Sequence, residues 1–121
     1  MPKSILVVDD EAVVAEISKR KLEEYGYEVR TAGDGNEAFL SLKTKIPDLI
    51  VLDVQMPKMN GYTFMMEKDK IPEYAHVPVI AVTAYGDMEP LLKRHGLKAY
   101  LLKPLKLQTL IDKIVEIVGQ P

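Results

Sequence analysis

Three runs of four consecutive apolar residues, Ile5-Leu6-Val7-Val8, Leu49-Ile50-Val51-Leu52 and Val79-Ile80-Ala81-Val82, constrain this chain more than any other feature. A strand with one wet face alternates apolar and polar residues, whereas a strand covered on both faces is apolar throughout. These runs therefore read as central strands of a sheet with helices on both sides. Two further runs, Tyr27 to Thr31 and Ala99 to Leu102, bring the strand number to five, with the fourth strand expected over Val77 to Thr83. Helical spacing fills the intervals. Leu107, Leu110, Ile111, Ile114, Val115 and Val118 recur as one face of a terminal helix. Val14, Ile17, Leu22 and Tyr25 fall inside a stripe about 140° wide, which predicts the buried face of the first helix.

Punctuation agrees. Gly26 ends the first helix, Asp34-Gly35 precedes the second, Pro47 closes it, Asn60-Gly61 opens the third and Gly119 stops the last. Lys68 to His76, with its charges and with Pro72 and Pro78, predicts a frayed helix end followed by a loop. Five strands alternating with five helices predict an α/β fold, a doubly wound parallel sheet in three layers, because parallel neighbours need right-handed helical crossovers. Residues 1–121 carry no linker and no repeat and fit a single domain. The chain ends just after the last helix, so an output domain is not expected within it: it is either a stand-alone protein or an excised domain.

Composition narrows the function. Sixteen basic and eighteen acidic residues give a net charge of −2, and the basic ones are mixed with acidic ones, so direct nucleic-acid binding is not expected. The absence of cysteine excludes disulfides, thiolate metal sites and a cysteine nucleophile, and suits a cytoplasmic home. No apolar run approaches the length of a membrane span, and Met1-Pro2-Lys3-Ser4 does not open a signal peptide.

The chemistry stands where the strands end. Ligands of doubly wound sheets lie beyond the carboxyl ends of the strands. There the first strand runs into Asp9-Asp10, the third into Asp53, the fourth ends in Thr83 and the fifth runs into Lys103. Carboxylates sharing one pocket repel, so such a site either holds a proton or attracts a hard divalent cation; magnesium, which keeps waters and accepts one or two carboxylates plus a phosphate, is the natural guest. A carboxylate can then serve as a phosphoryl acceptor, because the metal and the Lys103 ammonium neutralise the incoming charge while the Thr83 hydroxyl donates to a phosphoryl oxygen. Taken singly, Asp9 or Asp10 is an N-cap, Thr83 a β-branched strand residue and Lys103 a surface lysine. Their joint placement at the ends of four apolar runs favours one site. His76 and His95 have no partner at ligand spacing and read as solvated, and the methionines near the third helix, Met56, Met59, Met65 and Met66, read as core filler.

Over almost its whole length the chain resembles the receiver domains of bacterial two-component response regulators. The motifs are Val7-Val8-Asp9-Asp10-Glu11, Gly26-Tyr27-Glu28-Val29, Ala32-Gly33-Asp34-Gly35 with Ala38, Pro47-Asp48 through Asp53, Met56-Pro57, Asn60-Gly61, Pro78-Val79-Ile80, Thr83-Ala84 and Tyr100-Leu101-Leu102-Lys103-Pro104. The resemblance implies a flavodoxin-like strand order, 2-1-3-4-5. It further implies that Asp53 accepts a phosphoryl group from a sensor histidine kinase or histidine phosphotransfer protein, so that the domain catalyses only its own phosphoryl transfer and dephosphorylation. Asp10 and Asp53 would contact Mg2+ directly, Asp9 through water, and Gln55 through its main-chain carbonyl. Thr83 and Lys103 would bind phosphoryl oxygens, a cis peptide would join Lys103 to Pro104, and Tyr100 would be a switch aromatic. Phosphorylation would then bias the face of the fourth helix, fifth strand and fifth helix, read by a downstream protein target or used for weak dimerisation of an otherwise monomeric chain.

By the same resemblance, Gln55 and Tyr85 occupy positions where the family varies and where side chains can gate water reaching the acyl phosphate, Pro90 falls early in the fourth helix, and Leu105 replaces the commoner phenylalanine after Pro104. The alternative is a receiver-shaped interaction module not regulated by phosphate, whose mark would be a missing acid or lysine. A dehalogenase-type enzyme would need an aspartate at the Gln55 position, and a nucleotide site would need a glycine-rich phosphate loop that this chain lacks.

Overall fold

The computed structural model describes residues 2–53, 61–83, 97–103 and 106–121. In chain order they form β1 (Ser4–Val8), α1 (Ala12–Tyr25), β2 (Glu28–Ala32), α2 (Gly35–Thr44), β3 (Leu49–Asp53), α3 (Gly61–Asp69), α4 (Pro72–Ala75), β4 (Val79–Thr83), β5 (Leu97–Leu102) and α5 (Leu107–Val118). The strands make one parallel sheet in the order β2-β1-β3-β4-β5, as expected. The helix expected between Thr83 and Leu97, Pro90 within it, and the residues Met56, Met59, Asn60, Tyr85, His95, Pro104 and Leu105 lie outside the described residues.

The continuous apolar runs are explained by strand geometry, since successive side chains point to opposite faces. Leu6, Val8, Ile50, Leu52, Val79 and Ala81 face one side, where they pack with Ala38 and Leu42 of α2 and Phe64 and Met65 of α3. Ile5, Val7, Leu49, Val51, Ile80 and Val82 face the other, against Leu22 of α1 and Leu110, Ile111 and Ile114 of α5. The terminal helix thus buries the face its spacing predicts, and Met65 is core filler as expected.

The first helix is a correction. Its buried residues are Ala15, Ser18 and Leu22, while Val14, Ile17 and Tyr25 are substantially exposed. Small side chains at Ala15 and Ser18 let the helix lie close to the sheet, which turns the bulkier stripe outward. The stops behave as expected. Gly26 takes φ 121°, a conformation that side chains resist, and its N–H reaches the carbonyls of Leu22 and Glu23 at 3.1 and 3.0 Å. Asp34 caps α2 by accepting the Glu37 N–H at 2.8 Å, and Glu37 reaches back to the Gly33 N–H.

The stretch from Lys68 to His76 is more ordered than its composition predicts. Pro72 starts a one-turn helix, where a missing N–H costs nothing, and the Ile71 carbonyl accepts from both Tyr74 and Ala75 at 2.9 Å. Lys68, only 1% exposed, threads beneath this turn and donates to the Ala75 carbonyl at 3.1 Å and to Asp69 at 3.3 Å. Burial holds its pKa below the usual lysine value, with Asp69 opposing.

Phe64, fully buried, packs on Phe39 with ring centroids 4.9 Å apart and ties α3 to α2 across that side of the sheet. Phe64→Ala is expected to lower the unfolding free energy by about 3–5 kcal/mol in urea titrations followed by circular dichroism. A loss below about 1 kcal/mol would show that this layer collapses around the cavity or is not part of the cooperative core.

Candidate functional site

The strand order reverses between β1 and β3: the chain leaves β1 for one edge of the sheet and returns to build the other. Helices on the two sides diverge there, which opens a crevice at the carboxyl ends of those strands. Asp9 follows β1 directly and Asp53 ends β3. By the two-residue alternation, Asp9 continues the Ile5–Val7 side and Asp53 the Leu49–Val51 side, so both point toward the same face.

Asp9, Asp10 and Asp53 each offer a carboxylate oxygen within 4.8 Å of the other two. Asp53 is buried, Asp9 half-buried and Asp10 exposed. Neither aspartate of the pair caps α1 in the ordinary way. Glu11 occupies the N-cap position without a side-chain cap, and Asp9 instead accepts the N–H of Glu11 itself at 2.9 Å, not that of N2 or N3, which a cap would serve. This bond and the Asp9 N–H to the Ala32 carbonyl, 3.0 Å, fix the acid at the sheet edge.

Lys103 enters from the far side. Its N–H donates to the Thr83 carbonyl at 2.9 Å, extending the β4–β5 pairing by one bond, and its Nζ lies 3.2 Å from Asp53 Oδ2. Thr83, fully buried, ends the neighbouring strand. Asp9, Asp10, Asp53, Thr83 and Lys103 thus gather at one end of the sheet, as their spacing predicts. Tyr100 lies in β5, opposite Ala81, half-buried against the α2–α3 side of the core. Gln55 and the Lys103–Pro104 peptide lie outside the described residues. Asp48, part of the same motif run as Asp53, stands at the opposite end of the sheet, where its carboxylate accepts the Ser4 N–H at 2.7 Å; its role is to lock β3 against β1.

Among the described residues, three carboxylates facing one ammonium leave two negative charges in excess. The strain shows at Asp9. Burial pushes its carboxyl up from the ordinary 3.8 to about 6; repulsion from Asp53 and Glu11 adds to this, and the Glu11 N–H and Lys103 oppose it. An all-oxygen donor set of this charge suits a hard divalent cation. Oxygens on opposite sides of a magnesium ion stand about 4.2 Å apart, so a 4.8 Å cluster accommodates that ion with slight closure or with one acid acting through water.

Comparisons with known proteins bear on the family and fold of the chain. The family model described as response regulator receiver domain matches residues 5–115. The polar-differentiation response regulator DivK of Brucella anthropi is 34% identical over 122 residues, a match covering 98% of each chain. The probable transcriptional regulator ycf27 of Cyanophora paradoxa is 40% identical over 114 residues, covering 93% of this chain but 46% of that protein, so this chain spans about half the length of that relative. Among solved structures, chemotaxis protein CheY4 of Vibrio cholerae superposes with a TM-score of 0.90 at 28% identity, covering 97% and 99% of the two chains. A putative response regulator from Chloroflexus aurantiacus gives 0.88 at 33% identity, covering 99% and 100%.

The raised Asp9 pKa has a defined consequence for stability. The folded chain holds this proton more tightly than the unfolded one, so ionised Asp9 is a cost that is fully present above about pH 6 and is relieved as pH falls toward 3.8. In metal-free buffer Asp9→Asn, which keeps the acceptor for Glu11, is expected to stabilise the chain at pH 8 by about 1 kcal/mol, allowing for solvent screening of a half-buried group. The advantage should be gone by about pH 4. An equal gain at both pH values in denaturant titrations would show that charge is not its origin.

Proposed function

This chain belongs to the response regulator receiver domain family, whose members act in two-component signalling through kinases or phosphotransfer proteins and downstream targets, and on that footing we propose that it is a phosphorylation switch with Asp53 as phosphoacceptor. One observation carries the proposal: a buried aspartate at the switch point of the sheet, 3.2 Å from a lysine ammonium and inside a cluster of two further acids. We read residues 1–121 as one such domain.

In the proposed reaction an Asp53 carboxylate oxygen attacks the phosphorus of a phosphohistidine on a histidine kinase or phosphotransfer protein. The phosphorus–nitrogen bond breaks, its electron pair returns to the imidazole, and an acyl phosphate forms on Asp53. Asp10 and Asp53 would hold a magnesium ion directly, Asp9 through water and Gln55 through its carbonyl. When bound, the ion supplies the charge neutralisation that lets an anionic acceptor meet an anionic phosphoryl group. Lys103, already beside Asp53, pairs with a phosphoryl oxygen, and the Thr83 hydroxyl donates to another. Attack of water on the phosphorus reverses the modification and returns the carboxylate.

Signal transmission follows from where these groups are attached. Thr83 pairs with Leu102, and Ala81, two residues earlier on β4, pairs with Tyr100. A shift of Thr83 toward the phosphoryl group therefore acts on the strand that carries Tyr100, which we assign as the switch aromatic. The readout face would comprise β5, α5 and the helix expected between Thr83 and Leu97, offered to a downstream protein or to a second copy in a weak dimer.

Intact-mass measurement after incubation with acetyl phosphate is expected to show one phosphoryl adduct that needs magnesium and is absent from Asp53→Asn and Asp10→Ala. Lys103→Ala is expected to accept the phosphoryl group yet leave the Tyr100 NMR signals in their unmodified positions. Labelling that persists in Asp53→Asn would place the acceptor elsewhere, and the lack of any adduct would favour a phosphate-independent interaction module.

A further inference from the structure

Resting on the reading of β5 and α5 as part of the readout face, we propose that Tyr27, Gly119 and Pro121 form a strap that anchors the far end of α5, so that the helix responds to phosphorylation as a lever hinged at that end. α5 follows Lys103 and so starts on the side of the acid cluster. It ends about 18 Å further on, against the corner between α1 and β2 at the opposite edge of the sheet.

That corner is shaped to receive it. Tyr27 is 3% exposed, and its hydroxyl donates to the Gly119 carbonyl at 2.7 Å, joining parts of the chain 92 positions apart. Gly119 can present this carbonyl because it leaves the helix at φ 89°, a conformation that side chains resist, while its N–H still donates to the Val115 carbonyl at 2.9 Å. Pro121 then seats on Gly26: a Cβ there would stand 3.0 Å from the Pro121 Cγ, closer than side chains pack, so the bare glycine leaves the proline its place. The Tyr25 ring stacks on Tyr27 with centroids 5.8 Å apart and steadies the ring that carries the hydroxyl.

The start of α5 carries no matching clasp among the described residues. Lys106 occupies the N-cap position without a side-chain hydrogen bond, and Leu110 and Ile111 hold that end by apolar packing alone. Packing slides more readily than a buried directional hydrogen bond, so a displacement of β5 is taken up at the near end while the strapped end stays in place.

Amide hydrogen exchange on the whole unmodified chain tests the strap. Tyr27→Phe, which removes the hydroxyl and keeps the ring, is expected to speed exchange at Val118 and Gly119 by about fivefold and to leave Leu110 and Ile111 unchanged. Gly119→Ala, where a Cβ meets no atom within 4 Å, should act at the same amides through backbone conformation alone. Equal acceleration throughout the chain, or none in the last turn of α5, would overturn the proposal. Amide NMR shifts on treatment with acetyl phosphate and magnesium, in samples whose adduct is confirmed by mass, test the lever. They are expected to fall off from Leu107 toward Val118 in the wild-type chain and to extend to Val118 in Tyr27→Phe. The same profile along α5 in both chains would overturn the lever. A missing adduct would count against Asp53 as acceptor instead, and the exchange measurement would still decide the strap.

Discussion

Repulsion among carboxylates gathered at one edge of the sheet is the constraint on which the rest of this structure depends. Asp9, Asp10 and Asp53 converge within 4.8 Å, and Lys103 offsets one of their charges. Left alone, such a cluster favours holding a proton: burial raises the Asp9 pKa to about 6, and repulsion from Asp53 and Glu11 adds to the rise. The same excess charge makes the site receptive to a hard cation and, through that cation, to a phosphoryl group. Under the proposed function, proton, metal and phosphate would compete for or cooperate at a single electrostatic feature.

The fold holds that unfavourable cluster together with interactions far from it. Strand alternation sends one set of side chains to α2 and α3 and the other to α1 and α5, and both sets are buried. Backbone pairing then fixes where each strand ends: Asp53 opposite Val82, and Thr83 opposite Leu102, with Lys103 one residue beyond. Apolar burial at about 25 cal/mol per Å2 over two covered faces readily outweighs the repulsion of a few half-screened charges. Asp48 and Ser4 secure the opposite end of the sheet, so the register that delivers Asp53 is pinned at both ends.

Much of this was legible in the sequence because burial on two faces leaves an uninterrupted apolar run, and the residue after such a run must lie at the strand end. That logic located Asp9, Asp10, Asp53, Thr83 and Lys103 together. It failed where size mattered more than hydropathy. Ala15 and Ser18 carry the buried face of α1 because close approach to the sheet needs small side chains, and a helical stripe of Val14, Ile17 and Tyr25 concealed this. Ser18 gave no signal of burial, since a serine on a charged helix reads as solvent-facing. Lys68 was equally hidden: a lysine among charges predicts exposure, and only the proline-initiated turn above it, with the Ala75 carbonyl directed inward, explains its burial. The role of Asp9 lay between these cases, as its residue type fits a cap and only the backbone placement of Glu11 shows that it is not one.

Calorimetric titration of magnesium into the chain between about pH 5 and pH 8 tests the central electrostatic account most directly, because a proton and the ion draw on the same excess charge. Binding that weakens steadily as pH falls through about 6, with proton release on the acidic side, is the predicted result. Affinity that stays constant across that range, or no binding at any pH, would contradict it.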